Sequence, residues 1–148
     1  MRPHYETAAD QTREAVVMNQ VVANWNHPTG ERITDFYKIE NISYGTDFWM
    51  ETTDGFQVLE IKCRKKKYPF FLVAMKKIMT ARLWEDVGIP AHLCVHWEED
   101  DSLYVARPFG ENATPLTPEW NGRTKQGRGD KADMEPHARF KLTDMRKL

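Results

Sequence analysis

Asp-Phe-Trp-Met-Glu-Thr-Thr-Asp-Gly-Phe-Gln-Val-Leu-Glu-Ile-Lys-Cys-Arg-Lys-Lys-Lys, residues 47–67, is the stretch that decides the fold. Thr53-Asp54-Gly55 is a turn signal between two runs of strand-forming residues, so the stretch reads as a β-hairpin. Alternation along a strand puts Val58, Glu60 and Lys62 on one face and Leu59, Ile61 and Cys63 on the other. On the partner strand, Asp47, Trp49 and Glu51 share a face. A register that sets Asp47 beside Glu60 brings two carboxylates and a lysine into a small volume. Neighbouring carboxylates raise each other's pKa unless a cation sits between them. A hard divalent ion with oxygen ligands supplies that charge, and Mg²⁺ is the usual one.

Gly45-Thr46-Asp47, followed on the next strand by Glu60-Ile61-Lys62, resembles the signature of the PD-(D/E)XK nuclease superfamily. The Asp, the Glu, the apolar residue after it and the Lys all match. Thr46 stands where the family's pattern has Pro, a position at which the family itself varies. The resemblance spans residues 5–107. It implies an α/β fold with an αβββαβ restriction-endonuclease-like core, a mixed central sheet flanked by helices. It also implies metal-dependent hydrolysis of phosphodiester bonds, with DNA favoured as substrate, Mg²⁺ as cofactor and Mn²⁺ able to substitute. On the matching positions, Asp47 and Glu60 would hold the ion and the Ile61 backbone carbonyl would add a ligand. Lys62 would orient the attacking water or offset charge in the transition state. A glutamate from the first helix often joins the family's site, and Glu14 matches that role by position, as a further ligand or on a second ion. Size and layout are similar to those of small standalone members encoded by bacteriophages. The plainer reading of the same residues is a solvated hairpin face with charges spaced for solubility.

With 148 residues, the chain is most simply one domain with room for a core. Apolar content of 41% and aromatic content of 11% support folding, while 29% charged residues describe a polar surface. A net charge of −1 means that bulk electrostatics does not nominate nucleic acid, so local clustering must. Cys63 and Cys94 lie in strand-like runs and read as reduced packing residues, since a disulfide framework needs more of them. No long apolar run and no signal peptide is present, which leads to the expectation of a soluble cytoplasmic protein with no membrane association.

Tyr5 to Trp25 reads as the first helix, capped by Thr7 or Asp10. Its apolar stripe is Val17, Met18, Val21, Val22 and Trp25. One turn back the stripe reaches Glu14 and Gln11, and a carboxylate facing the body of a domain needs a partner or a metal. The alternative is an exposed Glu14 in a frayed first turn. Asp35 to Glu40 reads as a strand, with a turn at Asn41 to Gly45 before the hairpin. Pro69 suits a helix start, so Phe70 to Val87 reads as a second helix, burying Phe71, Ala74, Met75, Ile78, Ala81 and Trp84. Gly88 and Pro90 end it. Ala91 to Trp97 and Ser102 to Arg107 are strands around the turn Glu98-Glu99-Asp100-Asp101.

From Pro108 the chain becomes rich in Pro and Gly and reads as a long irregular segment and C-terminal extension, with His137 to Leu142 a short strand and a basic terminus after it. Arg123, Lys125 and Arg128, set between glycines, fit a phosphate contact or a solvated linker equally well. Arg64, Lys65, Lys66 and Lys67 directly follow the Glu-Ile-Lys triplet, and their position favours contact with a phosphate backbone over a plain solvated face. His92, Cys94 and His96 share a strand face. The two histidines are about 13 Å apart along it, too far for one Zn²⁺ with bonds near 2 Å, so packing is the better reading. Two other functions remain in play. One is a non-catalytic nucleic-acid-binding or virion-assembly protein on the same fold, against which an intact Asp47, Glu60 and Lys62 argue. The other is a Holliday-junction-type resolvase, which requires a homodimer.

Overall fold

The computed structural model describes residues 8–25, 29–40, 45–122 and 134–148. Helix α1 (Ala8–Asn24) leads to β1 (Ile33–Lys38), and β2 (Phe48–Thr52) and β3 (Gly55–Arg64) form the hairpin. Strand β4 (Phe70–Ala74) precedes α2 (Met75–Asp86), followed by β5 (Ala91–Trp97) and β6 (Ser102–Ala106). The chain closes with β7 (Thr117–Gly122), β8 (Met134–Lys141) and a short β9 (Arg146–Lys147). The central sheet runs β1-β2-β3-β5-β6-β9. Strands β3 and β5 are parallel and the other pairs antiparallel. A parallel pair needs a crossover, and the segment carrying α2 provides it. This is the mixed sheet with two helices that the αβββαβ order anticipates.

The hairpin forms where the turn residues demand it. Gly55 takes φ +117°, a backbone region that L side chains rarely adopt. The Thr52 hydroxyl donates to the Gly55 carbonyl at 2.7 Å and accepts the Asp54 N–H at 3.1 Å. Phe48 then pairs with Leu59 and Thr52 with Gly55. Both faces of β3 are covered. Val17, Met18, Val21 and Trp25 pack with Leu59, Ile61 and Cys94 on one face. On the other, Val58 packs with Ala81 and Ala91, while Leu93 and Val95 pack with Ile78 and Phe71. Full burial of a side chain of this size contributes roughly 1.5–3 kcal/mol. Glu60 therefore belongs to a strand whose neighbours on both faces are core.

Phe70 to Ala74 is a strand, not the first turns of the second helix. It pairs antiparallel with β8, Phe71 against Phe140 and Val73 against Ala138. Phe71 and Val73 are buried while Phe70, Leu72 and Ala74 are half-buried. That is period two, concealed in the sequence because both faces are apolar. The helix starts at Met75 and ends as Gly88 anticipates. The Gly88 N–H donates to the Glu85 carbonyl at 3.0 Å and the Ile89 N–H to the Trp84 carbonyl at 3.0 Å. With Gly88 at φ +84° this is a Schellman cap.

The segment after Pro108 is also more regular than its composition announces. Strands β4, β8 and β7 make a second sheet in that order. Pro118 lies in β7, an edge strand, where a missing N–H costs no ladder bond on the open side. Pro136 pairs with Trp120, but β4 reaches only as far as His137, so among the described strands Pro136 has a neighbour on one side. Phe140 and Ala138 of β8 are fully buried against Phe71, Val95 and Trp97. The C-terminal part of the chain is woven into both sheets.

Candidate active site

Strand β2 leaves β3 after the Phe48–Leu59 pair, while β3 runs on to Arg64 with β5 beside it. The candidate site sits in the resulting gap. Leu59, the registered partner of Phe48, also accepts the Asp47 N–H at 3.2 Å. Two residues thus oppose one, as in a β-bulge, which re-aims a side chain. The Asp47 carboxylate takes the place of the missing strand: its Oδ2 accepts the Ile61 N–H at 2.8 Å. In an extended strand the N–H and C=O of one residue leave by the same edge. Leu59 O meets β2, whereas the Val58 N–H and Arg64 O meet the β5 side. The Ile61 carbonyl consequently opens onto the gap that holds Asp47.

Glu60 points to the opposite face, toward α2, and is buried. Its Oε1 has two lysines, Lys77 Nζ at 3.0 Å and Lys62 Nζ at 3.3 Å. Its Oε2 is buried with no hydrogen-bond partner among the described residues. Burial pushes the Glu60 carboxyl above its ordinary value and the Asp47 charge pushes it further, while Lys62 and Lys77 pull it back. A buried carboxylate oxygen without a partner is costly, and one beside a second carboxylate is more so. Two carboxylates and a backbone carbonyl, all oxygen donors, form the kind of set that a hard divalent cation takes.

Glu14 reaches the edge of this constellation on the α1 side. Its Oε2 lies 2.5 Å from Lys38 Nζ, and the same ammonium is 3.7 Å from Asp47 Oδ1. Lys38 thus stands between Glu14 and Asp47. Among the described residues no three His, Cys, Asp or Glu side chains are grouped closely enough to hold a metal on their own. Asp47 and Glu60 are close enough to interact, and Glu14 is linked to Asp47 through Lys38. The Gln11 side chain lies outside the described residues.

Two of the site's cations, Lys38 and Lys77, are not apparent from the sequence. Lys77, Ala81 and Trp84 are spaced i, i+4, i+7, so Lys77 continues the inner stripe of α2 toward its start. A helix start set at Met75 makes that signal readable. Lys38 carries no signal beyond its place at the end of a strand.

The basic run is partly spent on the protein itself. Lys67 Nζ pairs with Asp100 Oδ2 at 2.5 Å and lies 5.1 Å from the Tyr104 ring centroid, and the Lys67 N–H donates to Glu99. Arg64, Lys65 and Lys66 are exposed, with Lys66 Nζ 5.7 Å from the Tyr68 ring centroid. Arg123, Lys125 and Arg128 lie outside the described residues. His92 bonds to Gln57 at 2.6 Å and His96 to Asp101 at 2.6 Å, while Cys94 is buried in the core. The three are engaged separately, His92 with Gln57, His96 through Nε2 with Asp101 and Cys94 in the core, as packing residues are. Both cysteines are free thiols.

A mixed sheet with a helix against each face, an Asp at the mouth of one strand and a Glu-Ile-Lys on the next, is the arrangement of the PD-(D/E)XK class of nucleases. The whole chain, residues 1–148, matches the family described as "Phage putative PDDEXK endonuclease". The chain belongs to that family, a phage family of nucleases whose substrate is nucleic acid. Comparison with curated proteins and with solved structures returned no match. No described helix is long and apolar enough to cross a membrane.

Proposed function

We propose that this chain is a Mg²⁺-dependent endonuclease that hydrolyses phosphodiester bonds in DNA, with Asp47, Glu60 and the Ile61 carbonyl as the metal-holding groups. The observation that carries the reading is Glu60: a buried carboxylate beside Asp47, with one oxygen held by two lysines and the other without a partner among the described residues. A divalent ion bound there would lower the pKa of a water and neutralise charge developing on the phosphate. The remaining tasks fall to the chain's own groups. Asp47 is fixed by the Ile61 N–H, so its other oxygen, 3.7 Å from Lys38 Nζ, has a defined direction. Lys62, more exposed than Lys77, can turn from Glu60 toward a phosphate, orient water and offset negative charge as the bond breaks. Glu14 acts on the site through Lys38, which balances Asp47 from the α1 side. Arg64, Lys65 and Lys66 lie just beyond Lys62 along the chain and would hold the flanking phosphates, as would Arg123, Lys125 and Arg128.

The test is cleavage of linear, circular, single-stranded and branched DNA, and of RNA, with Mg²⁺, with Mn²⁺ and with chelator. Internal cutting of closed circular DNA that needs the divalent ion is the expected result. Absence of metal-dependent cleavage across that panel would overturn the reading.

A further inference from the structure

Helix α2 touches both halves of the candidate site with one face. Lys77 Nζ lies 3.0 Å from Glu60 Oε1 and donates to the Gly45 carbonyl at 3.0 Å. One turn on, Thr80 packs against Gly45 so closely that a Cβ there would come within 3.1 Å of its side chain, at φ +67°. Gly45 begins the short segment that delivers Asp47. A single ammonium therefore ties the approach to one carboxylate to an oxygen of the other. Lys62 shares Oε1 at 3.3 Å, but it is 37% exposed against 20% for Lys77, and it has no second anchor among the described residues. The two lysines on one oxygen are not equivalent: one is clamped at both ends and the other is loose.

A carboxylate pinned by one oxygen presents the other in a fixed direction. We infer that Lys77 is a positioning residue of this nuclease, holding Glu60 Oε1 and the Gly45 segment together so that Glu60 Oε2 and Asp47 face a divalent ion at a set separation. The inference rests on the reading of Asp47 and Glu60 as metal-holding groups. Groups that orient a metal ligand from behind typically cost 10–100-fold in metal affinity or activity when removed. Lys77 is cationic, so pure electrostatics gives the opposite expectation: deleting a nearby positive charge should tighten metal binding. The sign of the effect separates positioning from mere charge.

The experiment is Mn²⁺ titration calorimetry on the wild-type chain, Lys77→Met, Lys77→Arg and Lys62→Met, with melting temperature measured alongside. Lys77→Met is expected to weaken Mn²⁺ binding by about tenfold or more, Lys77→Arg to recover part of it, and Lys62→Met to bind at least as tightly as wild type. Lys77→Gln, neutral but still a donor, carries the test should Lys77→Met not fold, with the same weakening expected. Unchanged or tighter Mn²⁺ binding by a folded Lys77 variant, in a chain whose wild type binds the ion, would overturn the inference alone. A wild-type chain that binds no Mn²⁺ would overturn the ligand assignment of Asp47 and Glu60, and this inference with it.

Discussion

Asp47 Oδ2 accepts the Ile61 N–H at 2.8 Å, so a side chain completes a ladder from which the backbone of β2 has departed. The bond fixes one oxygen of the carboxylate and leaves the other 3.7 Å from Lys38 Nζ. It predicts that replacing Asp47 by a small residue carries a structural cost. Truncation would strand the Ile61 N–H, a loss of about 1–3 kcal/mol for a buried donor. Asn keeps an oxygen for that bond while removing the charge, which makes Asp47→Asn the informative variant.

Glu60 should be a liability to the metal-free fold. Its carboxyl is raised by burial and by Asp47 beyond what Lys62 and Lys77 offset. A raised carboxylate binds its proton more tightly in the folded than in the unfolded chain, so stability falls as pH rises through that window and the full penalty is present above the folded value. Glu60→Gln, measured in chelator by thermal melting, should therefore melt higher than wild type at mildly alkaline pH. The gap should shrink as pH is lowered into the carboxylate range. A variant that melts lower at every pH would mean that the lysine contacts outweigh the burial of the charge.

Among the described residues Lys62 pairs with Glu60 alone, and it is the more exposed of the two lysines on that carboxylate. Lys62→Ala should cut the single-turnover rate at saturating Mg²⁺ by roughly 10²-fold or more, as loss of an electrostatic group at a reacting phosphate does. Substrate affinity should change far less. A variant with the wild-type rate and weakened DNA binding would make Lys62 a phosphate contact only.

The hairpin, its turn, the two faces of β3 and the α1 stripe are legible in the sequence because each rests on a local pattern that the tertiary fold does not override. Gly55 and Gly88 mark their positive-φ positions, and Glu-Ile-Lys on a strand beside an Asp is readable as chemistry. Phe70 to Ala74 reads as helix because all five residues are apolar, which erases the alternation that tells a strand from a helix. Strand β7 is hidden because Pro118 argues against a strand unless its edge position is known. Of the two lysines that complete the site, Lys38 is set there by the β1–β2 pairing, which places it against Phe48, and Lys77 by the packing of α2.

Arg64, Lys65 and Lys66 are exposed, whereas Lys67 is paired with Asp100. Their contributions to nucleic-acid binding should differ accordingly. Replacing the first three by Ser should flatten the slope of log affinity against log salt by about 0.9 for each phosphate no longer neutralised. Lys67→Ser should alter that slope little and should loosen the β5–β6 turn. Equal slopes for the triple variant and the wild type, measured on a duplex oligonucleotide, would assign the run to surface solvation.

The central claim is that Asp47 and Glu60 share one divalent ion on which cleavage depends. It is tested most directly by pairing Mn²⁺ titration calorimetry with single-turnover cleavage for wild type, Asp47→Asn and Glu60→Gln, each verified as folded by its melting transition. Wild type is expected to bind the ion and cleave, and both variants to keep their fold while losing measurable Mn²⁺ binding and cleavage together. Either variant retaining wild-type metal affinity and cleavage would contradict it.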